Sequence, residues 1–268
     1  MTPLVLELHL LGFDLGLSLF GLFLGLAGGV GTAALALVAH RAGVGARAAL
    51  AMCFWAVATG IIAARLGGLI AGGTSHGLPL LMNYAAGVAA AALAAVQYAR
   101  SRGVSPWLAL DLLGFGLAAA HAVVMLGCMA AGCCYGRVAP MDGPLALRFG
   151  QHTVAWHELA SSGAMPLAAR LTPPLYAVQP IQAAALALWT LVLILYARRP
   201  RGGRVLGAYL LGAAVIWAAL APWRAEGWHG LGTVLCLAAG GIALTLREHA
   251  HRLLALGRDG TGSDPRRV

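Results

Sequence analysis

The chain has 268 residues, 60% of them hydrophobic and 10% charged, with a mean hydropathy of +0.81; a water-facing surface of this length is not so apolar, so lipid is its solvent. All eighteen basic residues are Arg, and the net charge of +9 does not titrate away at cellular pH. Those arginines collect at the ends of apolar runs instead of forming a patch on a soluble face, which excludes a nucleic-acid partner.

The first ten residues carry no Lys or Arg, and no small-residue cleavage site follows the first apolar run, so no signal peptide is read and the first span is expected to stay in the protein. Backbone polar groups in lipid must be satisfied inside a helix or a closed barrel, and these runs are continuous, not alternating. They predict helices at 14–39, 46–71, 81–99, 105–131, 179–197, 205–222 and 230–247, each near the roughly 20 residues that a bilayer demands. The expected fold is thus an all-α membrane protein: a polytopic bundle of about seven transmembrane helices, residues 1–250 forming a single transmembrane domain.

Charge sets the orientation. The intervals holding Arg41 and Arg47, Arg100 and Arg102, and Arg198, Arg199, Arg201 and Arg204 alternate with intervals nearly free of charge. With the tail, thirteen arginines fall inside and four outside, at Arg137, Arg148, Arg170 and Arg224, so the N-terminus is expected outside and the C-terminus inside. Residues 251–268 read as a basic, disordered cytoplasmic tail. The long interval at about 135–178, between spans four and five, holds His152, Trp156, His157, Glu158 and several prolines. It is too long for a connector, and its apolar and aromatic content predicts a small periplasmic cap rather than a floppy insertion.

Within the first span, Gly12, Gly16, Gly21, Gly25 and Gly29 recur at close to four-residue spacing and predict close approach by another helix. Arg65 lies about 9 Å below the outer end of the second span by helical rise. A charge there faces the bundle interior, pairs with a lipid phosphate, or lifts its guanidinium to the headgroups along its stem.

The end of the fourth span is the densest cluster, His121-Ala-Val-Val-Met125-Leu-Gly127-Cys128-Met-Ala-Ala-Gly132-Cys133-Cys134-Tyr135-Gly136-Arg137. His121, Met125 and Cys128 share one helical face. An intramembrane His is either a functional group or a core side chain satisfied by a neighbour. Three cysteines within seven residues invite a metal, a disulfide from Cys128 to one of the adjacent pair, or inert thiols. Their spacing lacks a second ligand pair, and Cys53 and Cys236 sit in other spans, so a metal ranks below the other two. Gly127, Gly132 and Gly136 mark a place where backbone packs tightly or approaches a ligand.

This segment resembles the prolipoprotein diacylglyceryl transferase family, whose signature has the form H-x-x-G-R-x-G-N-F-x-N-x-E-x-x-G, with a Cys-rich variant ending G-C-C-Y-G; Gly127-Cys128 through Gly136 carries the likeness here. Gly60 to Gly67, around Arg65, resembles the family's G-x-x-x-x-R-x-G, and Asn83-Tyr84-Ala85-Ala86 stands at its H-G-G segment. Gln179-Pro180-Ile181-Gln182 resembles its H-P-x-Q, and Trp223-Arg224 falls at its F-x-R.

The resemblance implies transfer of a diacylglyceryl group from phosphatidylglycerol to the lipobox cysteine of a prolipoprotein, in a bacterial inner membrane, without a cofactor or a metal. It implies Tyr84 and His121 as catalytic residues. Arg65, Asn83, Gly127, Cys128, Gly132, Gly136, Arg137, Gln182 and Arg224 would bind substrate, with Arg65 and Arg224 as cations for the phosphate. Arg65, Tyr84, His121, Cys128 and Gln182 are expected to converge on one cavity. The chain departs from the family at Met125 and Trp217, where two arginines are expected, at Tyr84 in place of the H-G-G histidine, and at Ala184 and Ala185 in place of a Tyr and a Glu. Two other functions stay open: a lipid-binding or assembly protein of the same family, and a membrane thiol-disulfide oxidoreductase using the outer cysteines.

Overall fold

The computed structural model describes residues 4–10, 13–70, 78–140, 145–196, 202–225, 235 and 237–246, with backbone alone at 4–10, 13–17, 68, 70, 78–85 and 196. The tail from 251 to 268 lies outside the described residues, as do both ends of the expected seventh span.

Two short strands, β1 (Leu4–Leu10) and β2 (Phe13–Ser18), pair antiparallel. The first helix therefore begins later than the apolar run suggests, at α1 (Leu19–Arg41), where the Ser18 hydroxyl accepts from the Gly21 N–H at 3.0 Å. An N-cap of this kind satisfies one of the orphan donors of a first turn. There follow α2 (Ala46–Ile70), α3 (Leu78–Ser101), α4 (Pro106–Ala131), α5 (Val154–Ser161), α6 (Val178–Tyr196), α7 (Arg204–Leu220) and a shorter α8 (Leu237–Leu246). Among the described residues, α1, α2, α4, α6 and α7 are long and apolar enough to cross a bilayer. Their outward faces carry Phe54, Trp55, Ile61, Leu66, Leu188 and Val215, exposed as lipid-facing side chains are. The chain is a multi-pass membrane protein.

α4 is the hub, packing against α1, α3, α6 and α7, while α2 and α3 form a separate close pair. Lipid gives helices no hydrophobic reason to associate, so small side chains and close van der Waals contact must do it. A Cβ on Gly31 of α1 would lie 2.8 Å from the Gly116 carbonyl of α4, and one on Gly60 of α2 would lie 3.1 Å from the Gly87 carbonyl of α3. Ala91, Ala95 and Ala99 extend the α3 stripe at four-residue spacing, all buried. The expected packing glycines are a different set, and this is a correction. Gly25 and Gly29 meet nothing within 4 Å, Gly21 meets only its own cap, and Gly31 makes the crossing. The side chains at 12 and 16 lie outside the described ones.

A polar tie crosses the bundle at the start of α7. Gly203 caps that helix in a left-handed conformation with no side chain to offer, and Asp111 of α4, fully buried, accepts from the Val205 N–H at 2.8 Å. A carboxylate there meets both an orphan donor and the positive end of the helix dipole.

The segment between α4 and α6 is a folded cap. Its strands β3 (Ala146–Leu147) and β4 (Leu175–Tyr176) pair antiparallel, and α5 packs Ala155 against Phe149 and Leu175. Thr172 is buried and accepts from the Phe149 N–H at 2.9 Å; the Trp156 indole donates to the Ala169 carbonyl at 2.9 Å. The Tyr135 hydroxyl donates to Glu158 Oε2 at 2.9 Å, joining the end of α4 to α5.

Candidate functional site

The site is built where α4 stops. Gly132 terminates the helix at φ +68°, and the Cys133 N–H returns to the Cys128 carbonyl at 3.0 Å, closing the last turn as left-handed helix ends do. Gly132 has no room for more, since a Cβ would stand 2.6 Å from that of Thr153. Two residues on, Cys134 is left-handed at φ +55°, uncommon for a residue with a Cβ and a sign that surrounding contacts hold it there. The backbone thus doubles back over its own last turn, and the sulfurs of Cys128, Cys133 and Cys134 come within 4.8 Å of one another. All three are free thiols.

Three neighbours pin this turn. Gln179 of α6, buried, donates through Nε2 to the Cys133 carbonyl at 3.0 Å, and the Ala155 N–H of α5 donates to the Gly132 carbonyl at 3.0 Å. The Arg137 N–H donates to the Trp223 carbonyl at 2.8 Å and the Tyr176 N–H to the Arg137 carbonyl at 2.9 Å, so residues 135–137 run between the cap and the end of α7. That slot explains Gly136, where a Cβ would collide with the carbonyl of Tyr176 and lie 2.9 Å from that of Trp223.

The same contacts deliver Arg224, which pairs with Gly136 as an isolated bridge and is 1% exposed. A buried guanidinium requires partners. Its Nη1 donates to Gln182 Oε1 at 2.8 Å, and its plane lies over the Trp217 ring at 4.1 Å from the centroid, a cation–π contact. It also stands beside Cys134. Hydrogen bonds from the Cys128 and Cys133 thiols, with the adjacent Arg224 charge, hold the Cys134 thiol well below the usual cysteine range.

Below this cluster lies a cavity of about 280 Å³ between α4 and α7, walled by His121, Met125, Cys128, Cys134, Tyr209 and Trp217 with Leu117, Ala120, Val124 and Leu237. His121 Nδ1 is hydrogen-bonded to the Tyr209 hydroxyl at 2.9 Å, which fixes the ring. Apolar walls with a few converging polar groups suit a lipid tail whose polar end must be oriented.

Of the residues expected to converge, His121 and Cys128 line the cavity, while Gln182, bonded to Arg224, is not among its lining residues. Gly127 lies in the helix above, buried where a Cβ would be 2.9 Å from that of Phe23 on α1. Arg65 is exposed on α2 and is not among the cavity residues. Arg137 contributes backbone to the slot, and its side chain is exposed. Asn83 and Tyr84 lie on α3, their side chains outside the described ones.

Sequence reasoning passed over Tyr209 and Asp111. The signal was present in each, since a hydroxyl or carboxylate inside an apolar run demands a partner. Which partner, His121 or the α7 N-terminus, depends on helix pairing.

A model of the family described as prolipoprotein diacylglyceryl transferase matches residues 8–246. The chain belongs to that family. Comparison with curated proteins finds no match. The prolipoprotein diacylglyceryl transferase match runs from β1 to α8, so the bundle, the cap and the α4 turn all fall inside it. Met125 and Trp217 both face the cavity. Trp217 also carries the guanidinium of Arg224 on its ring.

Proposed function

We propose that this protein transfers a diacylglyceryl group from phosphatidylglycerol to the thiol of the lipobox cysteine in a prolipoprotein, releasing glycerol phosphate, at the periplasmic face of a bacterial inner membrane. The observation that carries this reading is Arg224: a buried cation, held by Gln182, on the ring of Trp217, which with His121 walls an apolar cavity. The reaction needs those three things together. An apolar cavity takes the acyl chains, a preorganised cation stabilises charge on the departing phosphate, and an imidazole accepts the proton of the attacking thiol. Charge-assisted hydrogen bonds in a site shielded from water are each worth roughly 1.5–3 kcal/mol, or one to two decades of rate.

The test is the purified full chain in phosphatidylglycerol vesicles with a lipobox peptide, read by the peptide's mass. A gain of one diacylglyceryl group, lost in Arg224→Gln and in His121→Phe, is the expected result. No gain, under conditions in which an active family enzyme modifies the peptide, rejects the reading. A second reading, a family member that holds lipid without turning it over, is favoured by the apolar Met125 and Trp217 in the cavity wall. Co-purified phospholipid with no peptide product would establish it instead.

A further inference from the structure

The transferase reading leaves the thiol cluster unused. Cys128, Cys133 and Cys134 bring three sulfurs within 4.8 Å of one another. In a tetrahedral zinc site the metal–sulfur distance of about 2.3 Å spaces sulfurs at about 3.8 Å, so the cluster closes on an ion with shifts of about 1 Å. Cysteines packed only as small apolar groups need no unusual backbone to meet. Here two left-handed residues, Gly132 and Cys134, fold the chain back to assemble them, and Gln179 braces the turn through the Cys133 carbonyl. Three thiolates around a divalent cation carry one net negative charge, and the Arg224 guanidinium beside Cys134 offsets it.

We infer that Cys128, Cys133 and Cys134 form a three-thiolate site for Zn²⁺ whose fourth coordination position opens toward the cavity and takes the thiol of the incoming cysteine. Two of the three cysteines, Cys128 and Cys134, line that cavity with His121. Three protein ligands with a fourth position left for substrate is the pattern of catalytic rather than structural zinc. The role given to the fourth position rests on the transferase reading.

It answers a chemical need of that reaction. A free thiol is mostly protonated at neutral pH, whereas a zinc-coordinated thiol is deprotonated outright. Coordination sends the peptide thiol's proton to His121 or to water. The zinc-bound sulfur then forms the bond to the glyceryl carbon as that carbon's bond to the phosphate oxygen breaks, and the electron pair leaves on glycerol phosphate. The thioether, a weaker ligand than thiolate, is released. No oxidant or reductant enters.

The experiment uses the full chain in detergent, reduced with a phosphine and exposed to Zn²⁺ or Co²⁺. One metal per chain is expected, with thiolate-to-cobalt charge transfer and tetrahedral ligand-field bands. Cys128→Ser, Cys133→Ser and Cys134→Ser should each weaken binding by more than about tenfold, while Cys53→Ser leaves it unchanged. Because a serine variant can also misfold, reversible methylthiolation of the wild-type thiols should block uptake and reduction should restore it. A lipobox peptide should shift the cobalt bands and its Cys→Ser analogue should not. A reduced chain with all thiols titratable that takes up no metal, or uptake indifferent to these cysteines, overturns the site. Transfer by the metal-free chain overturns it while leaving the transferase reading intact; metal and peptide bound without any diacylglyceryl gain retains the site and removes that reading.

Discussion

Arg224 Nη1 and Gln182 Oε1 meet at 2.8 Å with both side chains buried, joining the end of α7 to the first turns of α6. The bond holds the site's cation in place, so Gln182→Leu takes an acceptor from a buried charge. The expected loss is about 1.5–3 kcal/mol of stability, read as a lower unfolding temperature in detergent. Gln182→Glu keeps an acceptor and should retain most of that stability.

His121 and Tyr209 form the second positioned pair. Tyr209→Phe removes one hydrogen bond and should cost on the order of 1 kcal/mol. His121→Phe removes the proton acceptor and should slow diacylglyceryl transfer by about 10²–10⁴-fold. A Tyr209 variant as slow as the His121 variant would show that the ring's orientation, not only its presence, controls the rate.

Gly136→Ala drives a methyl group into the carbonyls of Tyr176 and Trp223, neither of which moves without opening the cap. Overpacking of this kind costs typically about 1–3 kcal/mol or more. Limited proteolysis between α4 and α6 should accelerate in that variant. Gly25→Ala, with open space around it, should leave the protein unaffected by the same measure.

Asp111→Ala leaves the Val205 N–H and the start of α7 without their acceptor. Loss of an N-cap costs typically about 1 kcal/mol, and burial places this one at the upper end, near 2 kcal/mol. Asp111→Asn, which still accepts, should recover most of it.

The Cys134 thiol titrates below the ordinary cysteine value, because the Cys128 and Cys133 thiols donate to its anion and Arg224 sits beside it. A lowered folded-state value stabilises the fold above the unfolded cysteine's pKa, and that contribution is lost as pH falls through the folded value. In the metal-free chain Cys134 should therefore alkylate with iodoacetamide below the pH at which a free thiol does. Replacing Cys128 and Cys133 together with Ala should move that profile toward alkaline pH; an unchanged profile would contradict the thiol network.

Much of the architecture was legible because lipid imposes simple rules on sequence. Long apolar runs must be helices, whatever they pack against, and the predicted positions of α2, α4, α6 and α7 lie within a few residues of the observed ends. The start of α1 was displaced because Ser18 caps it, a local choice that the continuous apolar run conceals. Helix contacts were poorly legible: glycine spacing identifies a surface that permits approach, but Gly25 and Gly31 differ only in which face meets α4.

The amino-acid sequence by itself determined that this is a helical membrane protein of the prolipoprotein diacylglyceryl transferase family, since solvent preference and a Gly/Cys motif are properties of the residues read in order. Tertiary structure alone decided the site. Left-handed backbone at Gly132 and Cys134 gathered three sulfurs, the slot beside Gly136 carried Arg224 inward, and α7 brought Tyr209 to His121. Charge and thiol chemistry act over a few ångströms: the sulfurs come that close only when the chain doubles back, and the Gln182–Arg224 and His121–Tyr209 contacts only once the helices have packed.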